Sequence, residues 1–525
     1  MKRSIKWRQI RFLFIILLSY ALFFVSCGVP VPDLGVHKAA IRPTASSGIN
    51  GYGTAPAKSY LSKGGGFKVW WATSGPHVPV LTDKNNNGIP DIVELAAETA
   101  DEVKKFVESK GFHIALQDDK LFTESAKYGG DARFDIYFLN FPAGDGKYNG
   151  EACITVGSVK QCGGYLVLEN DYAGTNYGSI REAIRIVLPH EYFHAIQSSY
   201  KYGMPGWWSE GSATWFEEFF NPSQHDFEHL ASLYFREPSR TLSDRQRGPS
   251  DSFAYGASLF VYFLSERFSP QIIRLILEEQ AKGSEILKAL EIVFATKKTT
   301  LGKVFEEFAT YNIFTGMRSA KKYGYTDAMR FATVPIKYLG SDKQLNWNVD
   351  VDPLAARYGQ FDLTRPMVIK AASIKSFEPA TLIAASLKEF KNSGKVHIVK
   401  PDQPVTFTKE DSPIYLAVVN GKLLKNHAIQ VQLRYAKKPH PTEEKPLIEK
   451  PELEQTQGDA GNSENIKPTP EKKNEEIPEK STTTEVTNGG GCGCNSMGDL
   501  NSSQGGLLIG FLLLLGLFFR AKKES

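Results

Sequence analysis

His190-Glu191-Tyr192-Phe193-His194, followed by Trp207-Trp208-Ser209-Glu210-Gly211-Ser212-Ala213-Thr214-Trp215-Phe216-Glu217-Glu218, are the stretches on which the reading of this chain turns. The chain has only ten histidines, so two of them four apart around a glutamate form a specific signal. Residues four apart on a helix project from one face, so the two imidazoles can share a divalent metal, with Glu191 about 100° round beside its open position. Pro189 fits either the first position of a new helix or a kink, because it lacks the N–H that would bond the Arg185 carbonyl. Both options leave 190–194 helical.

A catalytic zinc takes three protein ligands and keeps a fourth position open. The Trp207–Glu218 segment resembles the W-x-x-E-G-x-A segment of gluzincin metallopeptidases, where a Glu on a second helix completes the site. That resemblance implies an α+β, zincin-like catalytic domain, a small sheet plus a mainly helical part. It implies zinc held by His190, His194 and Glu210, with Glu191 as general base. The interval from His194 to Glu210 is somewhat shorter than in thermolysin-like and aminopeptidase members. The position four after the third ligand, often acidic, is here Thr214, and Glu217, two turns from Glu210 on the same helix face, is the candidate to support the first histidine. Tyr255, in Phe253-Ala254-Tyr255-Gly256-Ala257, is similar to the Tyr that precedes a Gly-Ala helix in aminopeptidase gluzincins, which would make it a donor to the oxyanion. On its own residues it is equally a core or surface aromatic. The blocks Asp83–Glu94, Gly164–Asp171, His190–His194, Trp207–Glu218, Tyr255–Arg267 and Phe305–Arg318 together resemble, over about residues 66–320, a family of exported bacterial metallopeptidases with this block order.

His225-Asp226-Phe227-Glu228-His229 also spaces two histidines by four, but Asp is shorter than the base the chemistry needs and no acidic ligand segment follows. A solvated helix start after Pro222-Ser223 is preferred there. Asp83-Lys84-Asn85-Asn86-Asn87-Gly88-Ile89-Pro90-Asp91-Ile92-Val93-Glu94 matches the EF-hand calcium loop. Asp83, Asn85, Asn87, Asp91 and Glu94 stand at side-chain ligand positions, Gly88 at the turn, and Ile89 where a backbone carbonyl binds. A strand-like segment precedes it, so a lone structural Ca²⁺ loop of modest affinity is expected, with an Asn-rich turn as the plain alternative.

The sequence has 525 residues with 62 Lys plus Arg against 58 Asp plus Glu, a formal charge of +4. The excess sits at the ends, in Lys2, Arg3, Lys6, Arg8, Arg11, Arg520, Lys522 and Lys523, which leaves a mildly acidic interior and no suggestion of nucleic-acid binding. The apolar run Phe12–Ser26 reads as an export signal over 1–26. Phe24-Val25-Ser26-Cys27 resembles a bacterial lipoprotein processing site, with ordinary cleavage and an uncleaved anchor as alternatives. The run 505–519 lies between Gly489-Gly490-Gly491-Cys492-Gly493-Cys494 and a basic tip. It resembles the bacterial C-terminal sorting tails that a membrane protease removes, of the Cys-Gly-Cys type found in myxobacteria, and a plain transmembrane tail anchor is the alternative. The partners expected are a protein or peptide substrate, the tail-processing protease, and a membrane reached by an N-terminal lipid and/or the C-terminal helix. The location expected is the cell envelope, the cell surface or outside the cell. Of five cysteines, only Cys153 and Cys162 remain for the body, where an oxidising compartment favours a disulfide and no metal-thiolate cluster can form.

Residues 27–66, rich in Pro and Gly, read as an extended lead-in. Phe67–Thr73, Phe134–Leu139 and Gly164–Leu168 read as strands, and 92–110 as a helix. The stretch 179–318 is predominantly helical, with runs around 190–200, 210–220, 255–268, 270–280 and 301–315 and capping-box spacing at Ser179-Ile180-Arg181-Glu182. After about 335 the period becomes two, and Asn420-Gly421 is a turn signal between Ile414–Val419 and Ala428–Tyr435. The expected organisation is a metallopeptidase domain over 67–335, a β-rich domain over 336–436 for which a sandwich is one arrangement, a Pro/Glu/Lys spacer over 437–491, and the tail 492–525. The function expected is that of an exported zinc-dependent endopeptidase. Its rival is a surface adhesion or binding protein on the same scaffold, against which the intact Glu191 argues, because a pure metal scaffold needs no base there. An aminopeptidase would need an amine anchor, and no Gly-rich exopeptidase motif supplies one.

Overall fold

A computed structural model describes residues 42–436 apart from 122–127, 142–143, 246, 248–250, 321, 342, 376 and 424. The export signal with Cys27, the spacer, the Cys-Gly-Cys motif and the 505–519 run lie outside the described residues. Among the described residues no helix is long and apolar enough to cross a membrane.

The first half builds one mixed sheet from β1 (Ala57–Leu61), β2 (Phe67–Ala72), β3 (Phe134–Leu139), β4 (Gly146–Val156) and β5 (Val159–Glu169), with helix α1 (Asp91–Ser109) between β2 and β3. The strand order is β1-β2-β3-β5-β4, with β2, β3 and β5 parallel and the outer strands antiparallel. Every residue of β3 is buried, because both faces of the strand are covered. Phe134, Ile136 and Phe138 join the main core under the helices. Tyr137 and Leu139 pack on the other face with Tyr52, from the segment read as a lead-in. That segment is fastened by Arg42, 3 % exposed, whose guanidinium meets Asp118, Asp135 and Glu151. Cys153 and Cys162 stand directly opposite each other on β4 and β5 and form the disulfide expected for them.

Helices follow: α2 (Ile180–Tyr200), α3 (Gly206–Phe220), α4 (Phe227–Ala231), α5 (Phe253–Gly256), α6 (Ser258–Phe268), α7 (Gln271–Ala281), α8 (Ile286–Thr296) and α9 (Leu301–Ile313). Pro189 lies inside α2, so 190–194 continues a helix begun at Ile180. From Val187 to Pro189 and again from Ala195 to Tyr200 every residue of α2 is buried, as suits a helix with the sheet on one side and helices on the other. Its N-terminus departs from the reciprocal capping box. Ser179 Oγ accepts from the Glu182 N–H at 3.2 Å, but Glu182 Oε2 reaches past Ser179 to the Gly178 N–H at 2.9 Å.

The last part contains β6 (Lys337–Ser341), β7 (Leu345–Val351), β8 (Ala355–Asp362), β9 (Met367–Ser373), β10 (Thr381–Ser386), α10 (Leu387–Ser393), β11 (His397–Val399), β12 (Val405–Phe407), β13 (Ile414–Asn420) and β14 (His427–Tyr435). They form two sheets, β11-β10-β13-β8-β6 and β12-β9-β14-β7, with a shared apolar core between them. The Asn420-Gly421 signal therefore does not close a hairpin, since β13 and β14 belong to different sheets. Asn420 instead ends its strand by donating to the Val351 and Lys425 carbonyls at 3.1 and 2.8 Å. Helices and three sheets succeed one another along the chain, an α+β architecture.

Candidate metal centre

The site is assembled where α2 and α3 cross beside the edge strand β4. On α2, His190 and His194 present their Nε2 atoms to one point, 3.1 Å apart. From α3, Glu210 brings Oε2 to 3.4 Å from each. Among the described residues, these three form the only group of three or more His, Cys, Asp or Glu whose ligand atoms all lie within 4.8 Å of one another. Imidazole nitrogen with carboxylate oxygen is the donor chemistry of zinc-type divalent ions.

The outer ring nitrogens are both held. His190 Nδ1 donates to Glu217 Oε1 at 2.6 Å, which places Glu217 in the supporting position for the first histidine. Thr214 is buried in α3, its hydroxyl without a hydrogen-bond partner among the described residues. His194 Nδ1 donates to Gln197 Oε1 at 2.9 Å, with Ser209 Oγ 3.2 Å from the same nitrogen. Gln197 Nε2 in turn donates to the Ser209 carbonyl at 2.8 Å and to Ser212 Oγ at 2.9 Å, so one amide fastens the histidine helix to the Glu210 helix.

Burial draws the His190 imidazole down, but hydrogen bonds to Glu210 and Glu217 outweigh it and hold the ring well above its ordinary value. His194 is raised in the same way, burial opposing and Glu210 prevailing. Burial alone would lift Glu210, yet the facing histidines hold it below the usual carboxylate range. Burial pushes Glu217 up to about 7 despite His190, with Asp226 and Asp145 adding to the rise. Acidic side chains thus surround both imidazoles and favour positive charge at this buried point.

Glu191 lies between the centre and the sheet edge. Its Oε2 accepts the Tyr148 N–H of β4 at 2.6 Å. The approach requires Gly146: a Cβ there would come 2.3 Å from Val187 Cγ1 and 3.0 Å from Glu191 Cγ. Asp145, 7 % exposed, adds a second carboxylate near Glu191 and His190. Tyr177 donates to it at 2.5 Å, and burial pushes it up to about 6. The Tyr255 ring stacks beside His190 at 6.2 Å between centroids. The backbone around it is closely packed: a Cβ on Gly256 would come 2.5 Å from the Tyr234 nitrogen, and one on Gly211, next to Glu210, 3.1 Å from the Ala257 and Ser258 backbone.

The Asp83–Glu94 loop stands apart and runs into α1, whose first turn holds Asp91 and Glu94. Asp83 accepts from the Asn87 and Gly88 N–H groups, Asp91 from that of Lys84, and Glu94 from the side-chain amides of Asn85 and Asn87. Gly88 has φ +84°, the conformation a turn at that position requires. Asn85, Asn87 and Glu94 are thereby gathered, while Ile89 offers its N–H to Asn87 Oδ1 at 2.8 Å. His225 precedes α4, with Nδ1 3.2 Å from Glu228 Oε1, and contributes nothing to the first centre.

Gln197, Ser209, Gly146 and the Tyr148 N–H are the parts that sequence reading missed. Gln197 alone had a local signal, its place one turn after His194 on the same face. No protein-family model matches the chain, and no curated protein matches it.

Proposed function

We propose that the chain is a zinc-dependent endopeptidase of gluzincin type, on a zincin-like catalytic domain, acting on proteins at the cell surface or outside the cell. The observation that carries this reading is the convergence of His190, His194 and Glu210 on one point with Glu191 beside it. The donor set fits zinc, and the hydrogen-bonded outer nitrogens of both histidines are what oriented ligands require. When bound there, zinc supplies Lewis acidity toward water and toward a peptide carbonyl. Glu191 takes the proton of the attacking water and returns it to the departing amine. In this reading Tyr255, whose ring lies beside His190, donates a hydrogen bond to the developing oxyanion. The Asp83–Glu94 loop, with Asp83, Asn85, Asn87, Asp91, Glu94 and the Ile89 carbonyl as ligands, takes a structural calcium ion that pins the start of α1.

The test compares zinc content and casein hydrolysis in the wild type and Glu191→Gln. Retained zinc with proteolysis lowered at least about a hundredfold is expected. Undiminished proteolysis in the variant overturns the mechanism. A wild type purified without chelator and free of zinc would favour the binding-protein reading.

A further inference from the structure

We propose that the cleft beside α4 is a second transition-metal site, with His225, His229 and Glu228 as its protein donors. The cleft has a volume of about 490 Å³, and all three residues line it. None of them belongs to the first centre.

Three observations point to a cation here. Glu228 is 5 % exposed, and its Oε2 is buried without a hydrogen-bond partner among the described residues, so one oxygen of the carboxylate is left for a further ligand. Its Oε1 lies 3.2 Å from His225 Nδ1 and 3.6 Å from Arg330 Nε, and His225 itself lines the cleft. The surrounding charge is mainly acidic. Asp327 and Glu218 of α3 face the same region, together with Arg330, whose side chain is half exposed.

The donor type then selects the ion. Two imidazoles with one carboxylate suit zinc and its neighbours, whereas calcium and magnesium call for oxygen alone. His225 and His229 are both exposed, and His225 already meets Glu228. Their ligand atoms are more spread than those of the first triad. The site is therefore assembled on binding and weaker than the first. Both sites border α3, which sends Glu217 to His190 and Glu218 toward Glu228 from adjacent positions.

Calorimetric titration of the metal-free full chain with zinc chloride, checked by elemental analysis, tests this. The wild type should take up two zinc ions per chain, the second held at least about tenfold more weakly. His225→Ala/His229→Ala should lose the weaker ion alone, and because both side chains are exposed the variant should melt with the wild type. Glu228→Gln should weaken the second ion about tenfold with the first unchanged. Saturation of the wild type at one ion that His225→Ala/His229→Ala retains, or a second ion that survives the double substitution, overturns the proposal. Zinc uptake that depends on His225 and His229 alone would sink the peptidase reading and leave this site standing.

Discussion

His194 is oriented by one amide. Gln197 takes the Nδ1 proton with its oxygen and spends its nitrogen on Ser209 and Ser212, the residues on either side of Glu210 and Gly211. Gln197→Leu should therefore loosen the histidine and the third ligand together, lowering zinc affinity about ten- to a hundredfold in equilibrium dialysis. Gln197→Glu keeps the acceptor but loses the two donors, so it should recover part of that loss. Affinity equal to wild type in the leucine variant would show the amide to be packing alone. At this scale much of the site was legible: His190, Glu191 and His194 by their spacing, and Glu217 by its two-turn interval from Glu210. Gln197 was not, because what an amide does depends on its rotamer and on a carbonyl supplied by another helix. The Asp83–Glu94 pattern shows the same limit, since the residues identify a turn while ligand geometry is set by side-chain directions.

Between elements, the decisive contact is that of β4 with α2. Gly146 lets the strand edge come against Val187 and Glu191, and the Tyr148 N–H fixes the carboxylate. Gly146→Val should displace Glu191 while leaving the three ligands alone, so zinc content should stay and kcat should fall about a hundredfold, the scale expected of a small misplacement of a catalytic group. Zinc lost in parallel with activity would mean that the glycine serves the fold as a whole. Sequence reading found β2, β3 and part of β5, whose apolar runs are strong, and overlooked β4. Along β4 only Glu151 is buried, so its sequence lacks the alternation of a half-buried strand. Helix α8 also escaped, although its buried positions Ile286, Ala289, Leu290, Val293 and Phe294 recur at helical spacing.

For the molecule as a whole, the change of period near 335 marked where the β-rich part begins but could not tell how it docks. Strand β13 supplies the answer, buried at every position. Ile414, Leu416 and Val418 face the core between the two sheets, while Tyr415, Ala417 and Val419 join the core of the helical part. A strand buried on both faces reads as one apolar run, so the sequence reveals burial without naming what lies on either side. Further contacts tie the junction: Tyr358 donates to the Ala309 carbonyl at 3.2 Å, Thr381 to Glu306 at 2.6 Å, and the Phe314 and Phe390 rings stack at 3.5 Å. Gly302 on α9 and Gly421 after β13 approach so closely that a Cβ on Gly421 would come 2.7 Å from Gly302 Cα. Separating the parts would strip this shared core of partners on both sides, so residues 42–435 should unfold as one cooperative unit. In differential scanning calorimetry a single transition is expected, with calorimetric and van't Hoff enthalpies equal. Gly421→Val, placed far from the metal centre, should lower that one transition without splitting it. Two resolved transitions in the wild type would mean that the sheets fold on their own and the junction is only docking.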